Sequence, residues 1–321
     1  MSYIAKINWK YKDLVKGTDK DDIIYGTGKD EVIFGGNGND TIYGWKGDDH
    51  IFGGRGNDFL TGDQGNDVVV GGSGHDSVYG GDGDDVLFGG SGNDIMGGDA
   101  GNDTMYGGTG NDTMYGLTGN DSMFGGHGDD LMGGGEGNDL MKGGSGNDII
   151  CGEDGDDCLH GGKGNDFVEG GSGNDYIEGG RGHDILVGGS GHDVLNGGSG
   201  HDTLSGGSGN DTLKGGRGND ILEGGAGCDT LTGGKGCDTF IFSHITHSTK
   251  HGADVITDFN QRNDIIDLSA LGFTGIEKGA ADGSTLGYHH YKGDTYISAD
   301  CENFMIVLDG TYNLADGDFS F

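Results

Sequence analysis

The chain has 321 residues, with 78 glycines, no proline, and 54 Asp and Glu against 18 Lys and Arg, a formal charge of −36. So acidic a chain is not built to hold nucleic acid, whose partners carry basic patches, and no stretch approaches the roughly 18 apolar residues of a transmembrane segment. Low apolar content with high net charge ordinarily reads as disorder, so any order must come from a pattern and from the cations that this charge attracts.

Residues 1–16 alternate, with Tyr3, Ala5, Ile7, Trp9 and Tyr11 on one face and Lys6, Asn8, Lys10 and Lys12 on the other. This predicts an N-terminal capping strand. The segment lacks the apolar h-region and the small-residue cleavage site of a secretory signal peptide.

From Gly17 to Ile241 the chain divides into 25 nonapeptides without a slip, each close to G-G-x-G-x-D-x-U-x with U apolar. The first position is always Gly. The fourth is Gly except at Lys20 and Lys29, and the sixth is Asp except at Glu31. The eighth is always apolar, from Ile24 through Met96 and Leu195 to Phe240. Glycine admits positive φ, so the backbone can turn tightly and present its carbonyls. The last three residues, x-U-x, predict a short strand with U facing inward. Two nonapeptides then complete one coil of an all-β, right-handed parallel β-roll, a β-solenoid of about 25 half-turns with a thin core between two sheets.

In such a roll each repeat stacks on the next but one, at the ~4.8 Å spacing of neighbouring strands. The sixth-position carboxylates therefore form two columns. One holds Asp22, Asp40, Asp58, Asp76, Asp94, Asp112, Asp130, Asp148, Asp166, Asp184, Asp202, Asp220 and Asp238. The other holds Asp49, Asp67, Asp85, Asp103, Asp121, Asp139, Asp157, Asp175, Asp193, Asp211 and Asp229. Carboxylates so close repel unless a cation lies between them. Ca²⁺ takes six to eight oxygens, mixing carboxylates with backbone carbonyls, and Gly-rich turns ending in Asp supply both kinds. The candidate carbonyl donors are second- and fourth-position glycines. They are Gly36, Gly38, Gly54, Gly56, Gly72, Gly74, Gly90, Gly92, Gly108, Gly110, Gly144, Gly146, Gly162 and Gly164. The series continues with Gly171, Gly173, Gly180, Gly182, Gly189, Gly191, Gly198, Gly200, Gly207 and Gly209.

This unit resembles the RTX, or hemolysin-type, calcium-binding repeat. The resemblance implies an ion between each turn and the next but one, which allows at most about 23 ions. Irregular second positions at Trp45, Asp63, Asp99, Leu117 and Glu153 are expected to weaken local sites. Burial of the U side chains falls far short of the entropy of ordering so glycine-rich a chain, so the expectation is an unfolded apo chain and a folded calcium-bound one.

The repeats end at CDTFIFS (Cys237–Ser243), and residues 242–321 are expected to form a β-rich C-terminal cap. Its stretch GADVITDFNQRNDIIDLSALGF (Gly252–Phe273) resembles the R-modules of secreted mannuronan C5-epimerases. The final ADGDFSF, with Phe319 and Phe321, is similar to an uncleaved type I export signal. The resemblance implies a secreted, extracellular bacterial protein that crosses the type I machinery unfolded and folds on meeting calcium outside.

No catalytic motif emerges. Without proline the epimerase Asp-Pro-His-Glu motif cannot occur, and H-E-x-x-H and G-x-S-x-G are absent. Cys151, Cys158, Cys228, Cys237 and Cys301 fit neither a zinc site nor a disulfide framework and read as free thiols. His244, His247 and His251 read as a polar connector, and His183, His192 and His201 as substitutes for Asn in the turn. Met96 to Met141 supply six successive core positions, read as adaptable filling. The ninth position carries aromatics early in the roll, including Tyr25, Tyr43, Phe34 and Phe52, either as cross-strand packing or as a face for an acidic polysaccharide or a protein. The leading expectation is a non-enzymatic calcium-binding roll that serves binding, structure or secretion. The competing one is the accessory R-module portion of an alginate-epimerase-like protein. An ice-binding face is not expected, since Thr holds the third position only at Thr109 and Thr118.

Overall fold

The computed structural model describes residues 13–250, 252–279, 285–299 and 304–321. The alternating stretch from Tyr3 to Lys12, together with His251 and Cys301, lies outside the described residues. Two compact units divide the chain, Met1–Met141 and Lys142–Phe321, and each is a parallel β-solenoid.

In the first unit Asp13–Lys16 pairs in parallel with the start of Glu31–Asn37, and that sheet continues through His50–Arg55 to Ser122–His127. The facing sheet runs from Ile23–Tyr25 through Thr41–Lys46 to Leu131–Glu136. Every pairing joins residues 18 apart, such as Ile42 with Leu60, so repeat n stacks on repeat n+2.

The strands are longer than the sequence predicts. They run six residues, as in Thr41–Lys46, because the ladder skips Gly44 and resumes at Trp45 and Lys46. The first-position glycine steps out as a corner, and the next two residues return to the ladder. Identical repeats held in one register let even a turn segment pair with its copy in the next coil. Between the sheets the U side chains are 0–1% exposed from Ile33 to Phe240, the six methionines among them.

The second unit repeats this pattern from Ile149–Asp154 and Cys158–Lys163 onward. Its register outlasts the nonapeptides. Asp254–Ile256 joins Thr230–Lys235 with Ile256 opposite Leu231, and Ile265–Asp267 joins Thr239–Ile241 with Ile266 opposite Phe240. Met305–Leu308 and Phe319–Ser320 then add in parallel to the two sheets. Asp294–Ser298 and Leu286–Tyr291 follow as antiparallel strands, giving the β-rich cap. The terminal Phe319 is thus a sheet residue, 7% exposed and stacked on Phe321.

Candidate metal sites

Each sixth-position Asp from Asp40 to Asp238 is at most 3% exposed. Its Oδ1 has a fixed task. Within each unit it accepts the amide N–H of the equivalent residue one coil earlier, as Asp76 does from Asp58 (2.8 Å) and Asp193 from Asp175 (2.9 Å). Its Oδ2 is different. In Asp40, Asp58, Asp76, Asp94, Asp184 and Asp202, among others, Oδ2 is buried and accepts no hydrogen bond. A buried carboxylate oxygen left this way is costly.

What faces that oxygen is a first-position glycine, a residue absent from the donors proposed above. A methyl group added at Gly71 would meet Asp76 Oδ2 at 2.6 Å and the Gly89 carbonyl oxygen at 2.7 Å. At Gly197 it would meet Asp202 Oδ2 at 2.6 Å and the Gly215 carbonyl oxygen at 2.8 Å. A carboxylate oxygen from one coil and a carbonyl oxygen from the next therefore converge on one point. The available signal was that glycine never fails at this position.

The second- and fourth-position glycines named above all have positive φ, from +100° at Gly198 to +152° at Gly200. This turns their carbonyls along the stacking direction. A methyl group at Gly72 or Gly74 would run into the Gly54 or Gly56 carbonyl oxygen. The irregular second positions keep the same backbone, with φ of +81° at Trp45, +73° at Asp63, +75° at Asp99, +79° at Leu117 and +78° at Glu153. The Asp63, Leu117 and Glu153 carbonyl oxygens still face the following glycine.

Burial, reinforced by neighbouring carboxylates, raises interior sixth-position carboxyls such as Asp175 and Asp184 from an ordinary 3.8. The amide that each accepts opposes the shift. Asp76, Asp112, Asp211 and Asp238 reach about 6, Asp103, Asp175 and Asp184 about 7, and Asp85 about 8. Among the described residues no group of three His, Cys, Asp or Glu side chains is arranged to hold a metal ion by itself. A cation seated here would take carboxylate plus backbone oxygens, a donor set for Ca²⁺ rather than for Zn²⁺.

The first coils of the first unit and the last coils of the second are built otherwise. Asp22 Oδ2 accepts the Thr18 amide (2.6 Å) and hydroxyl (2.8 Å), and the Glu31 carboxylate accepts the same two groups of Thr27. Beyond the nonapeptides, Asp254 and Asp264 extend the two columns by accepting the Asp229 and Asp238 amides. Asp264 Oδ2 accepts the Asn260 amide at 2.8 Å. Sequence reading missed both, because they follow their column neighbours by 25 and 26 residues, not 18.

The histidines fall as expected for turn substitutes. Nδ1 of His183, His192 and His201 accepts the amide of His201, Asn210 and Asn219 respectively, as Asn Oδ1 does elsewhere. His183 and His201 stack at 5.0 Å, while His192 lies in the other column. The aromatic columns are in register: Phe34 stacks on Phe52 at 4.9 Å, and Tyr106 on Phe88 and on Phe124 at 5.0 Å. This stacking supports cross-strand packing.

The profile of the RTX calcium-binding nonapeptide repeat matches residues 25–60, 61–96, 97–132, 133–168, 169–204 and 205–240. The chain is 43% identical over 76 residues to alginate lyase 7 of Azotobacter vinelandii, a match that spans 9% of that protein's length. Among solved structures it is similar to the AlgE6R2 subunit of the Azotobacter vinelandii mannuronan C5-epimerase, at 30% identity over 54% of this chain and 91% of that one, with a TM-score of 0.31. A hyperactive, Ca²⁺-dependent, β-helical antifreeze protein from an Antarctic bacterium is 23% identical over 76% of this chain and 86% of its own, with a TM-score of 0.37. With six successive profile matches in one register, the chain belongs to the RTX calcium-binding nonapeptide repeat family.

Proposed function

We propose that this chain is a secreted, non-enzymatic β-roll whose fold is completed by Ca²⁺. The observation that carries the reading is the buried Oδ2 without a hydrogen bond, facing a carbonyl oxygen of the next coil and recurring along both edges. The ions would be held by sixth-position aspartates such as Asp76 and Asp202, by the carbonyls of Gly89 and Gly215, and by second- and fourth-position carbonyls. Bound calcium supplies positive charge where carboxylates of adjacent coils meet, so metal affinity becomes folding free energy. A chain held unfolded in calcium-poor cytosol suits a narrow type I exporter, and millimolar calcium outside then drives folding. Equilibrium dialysis against Ca²⁺, with Mg²⁺ as control, tests the sites. Many ions per chain taken up with calcium selectivity support the reading, and one or none refutes it.

A second reading, an accessory module acting with an alginate-modifying protein, is favoured by the identity to alginate lyase 7. Incubation with mannuronan separates the two. Any loss of mannuronate signal overturns the non-enzymatic reading, and retention of the polymer without turnover supports the accessory one.

A further inference from the structure

In the second unit three reactive side chains meet on the solvent face of one sheet. Cys158 and His160 flank the buried Leu159, so both point outward from Cys158–Lys163. Cys158 Sγ lies 3.5 Å from His160 Nε2. On the adjacent strand Glu178 stands directly opposite His160, and its Oε2 lies 3.2 Å from Nδ1. Tyr176, opposite Cys158, sets its ring edge-on to the imidazole with centroids 6.0 Å apart. Glu178 and Tyr176 thus fix the ring. The carboxylate holds the proton on Nδ1, which leaves Nε2 bare to accept the thiol S–H. A nucleophile in reach of a base, with the base oriented by a third group, is the arrangement of an activated nucleophile. Cys151 stands opposite Glu169 in the facing sheet, and burial first, then Glu169 and Glu153, pushes its thiol up.

We propose that Cys158, His160 and Glu178 form a thiol–disulfide exchange site that takes a small disulfide from solution. Exchange needs no pocket and no oxyanion hole, so an open sheet face suffices. Cys158 Sγ attacks one sulfur of R–S–S–R as its proton passes to His160 Nε2. The S–S bond of the reagent breaks, a bond from Cys158 Sγ to sulfur forms, and the leaving RS⁻ takes the proton from Nε2. The balance is Cys158–SH plus R–S–S–R giving Cys158–S–S–R plus R–SH, with no external oxidant. His160 acts as the general base and Glu178 as a positioning residue.

The test is reaction of the full calcium-loaded chain with glutathione disulfide, with each mixed disulfide located by mass spectrometry. At pH 6.5 Cys158 should react about 10-fold or more faster than Cys151, since a positioned base is worth about 10²–10⁴ in rate. A short free-thiol peptide serves as the unassisted control, whose rate climbs about 10-fold per pH unit below its pKa, as the thiolate fraction does. His160→Gln should slow Cys158 about 10-fold at pH 6.5, restore the steep pH dependence of the control, and leave far-UV circular dichroism unchanged. Glu178→Gln should give a smaller loss in the same direction. Equal rates and equal pH slopes at Cys158 and Cys151, or a His160→Gln variant as fast as the parent, would overturn the proposal.

Discussion

The interior coils and the ends of the roll solve one problem in two ways. Interior carboxylates, and Asp264 beyond the last nonapeptide, anchor one oxygen on the amide of the preceding coil. At the ends protein donors complete the carboxylate: Thr18 for Asp22, Thr27 for Glu31, Asn260 for Asp264. In the interior the second oxygen of residues such as Asp76 and Asp202 faces only the carbonyl of the next coil, an acceptor like itself. Two acceptors aimed at one point call for a cation. The difference separates coils that a protein donor completes from coils that, on the proposed reading, depend on calcium.

The sharpest way to break this contrast is to fill the cradle. Gly197→Ala places a methyl group where Asp202 Oδ2 and the Gly215 carbonyl converge, and should cost about 3–5 kcal/mol of calcium-dependent stability, in the range of severe core disruption. Gly28→Ala, near an end where no atom lies within 4 Å, should change the same chemical-denaturation midpoint little. Next comes Asp76→Asn, which keeps an acceptor for the Asp58 amide but removes the charge. It should lower the calcium stoichiometry measured by dialysis and cost about 1–3 kcal/mol in calcium, the scale of a lost charged interaction. Thr18→Val, by contrast, should cost about 1 kcal/mol in calcium and leave the calcium stoichiometry unchanged, as loss of an ordinary hydrogen bond does.

Protonation gives a third test, and its sign follows from the raised carboxyls. Asp175 and Asp184 titrate at about 7 when folded and at 3.8 when not. Their contribution to the metal-free fold is therefore full below 3.8 and is lost as pH rises from there through about 7. Metal-free protein should show more β signal by circular dichroism at pH 4.5 than at pH 7.5. Calcium should act in the opposite sense, with its midpoint moving to higher concentration on acidification. The smallest effect is local. Leu117→Gly relieves a left-handed, non-glycine backbone and should raise the melting midpoint by an amount equivalent to about 1 kcal/mol.

Much of this contrast can be read from residue positions alone. Invariant spacing of nine places Asp58 on Asp40 and Leu60 on Ile42, and the structure keeps that stacking. Three features are hidden, each for a physical reason. Glycine suggests a turn, so the pairing of Gly54 with Gly72 and of Arg55 with Ser73 is not anticipated. First-position glycines carry no side chain, so their role as the wall of a cradle shows only once the neighbouring coil is in place. Asp254 and Asp264 occupy the right columns at the wrong spacing, because the intervening loops lengthen without disturbing the register. The aromatic ninth positions are legible as columns, but whether their faces are free depends on ring orientation, which no spacing encodes.

The most direct test is far-UV circular dichroism of the metal-free chain at pH 7.5, titrated with calcium and, in parallel, with magnesium. The account predicts a largely unfolded chain that converts cooperatively to β structure at about 10⁻⁴–10⁻³ M calcium, the range of extracellular sites, and not with magnesium. A chain equally folded in excess chelator would contradict it, since the interior carboxylates would then be tolerated without the cation that their geometry calls for.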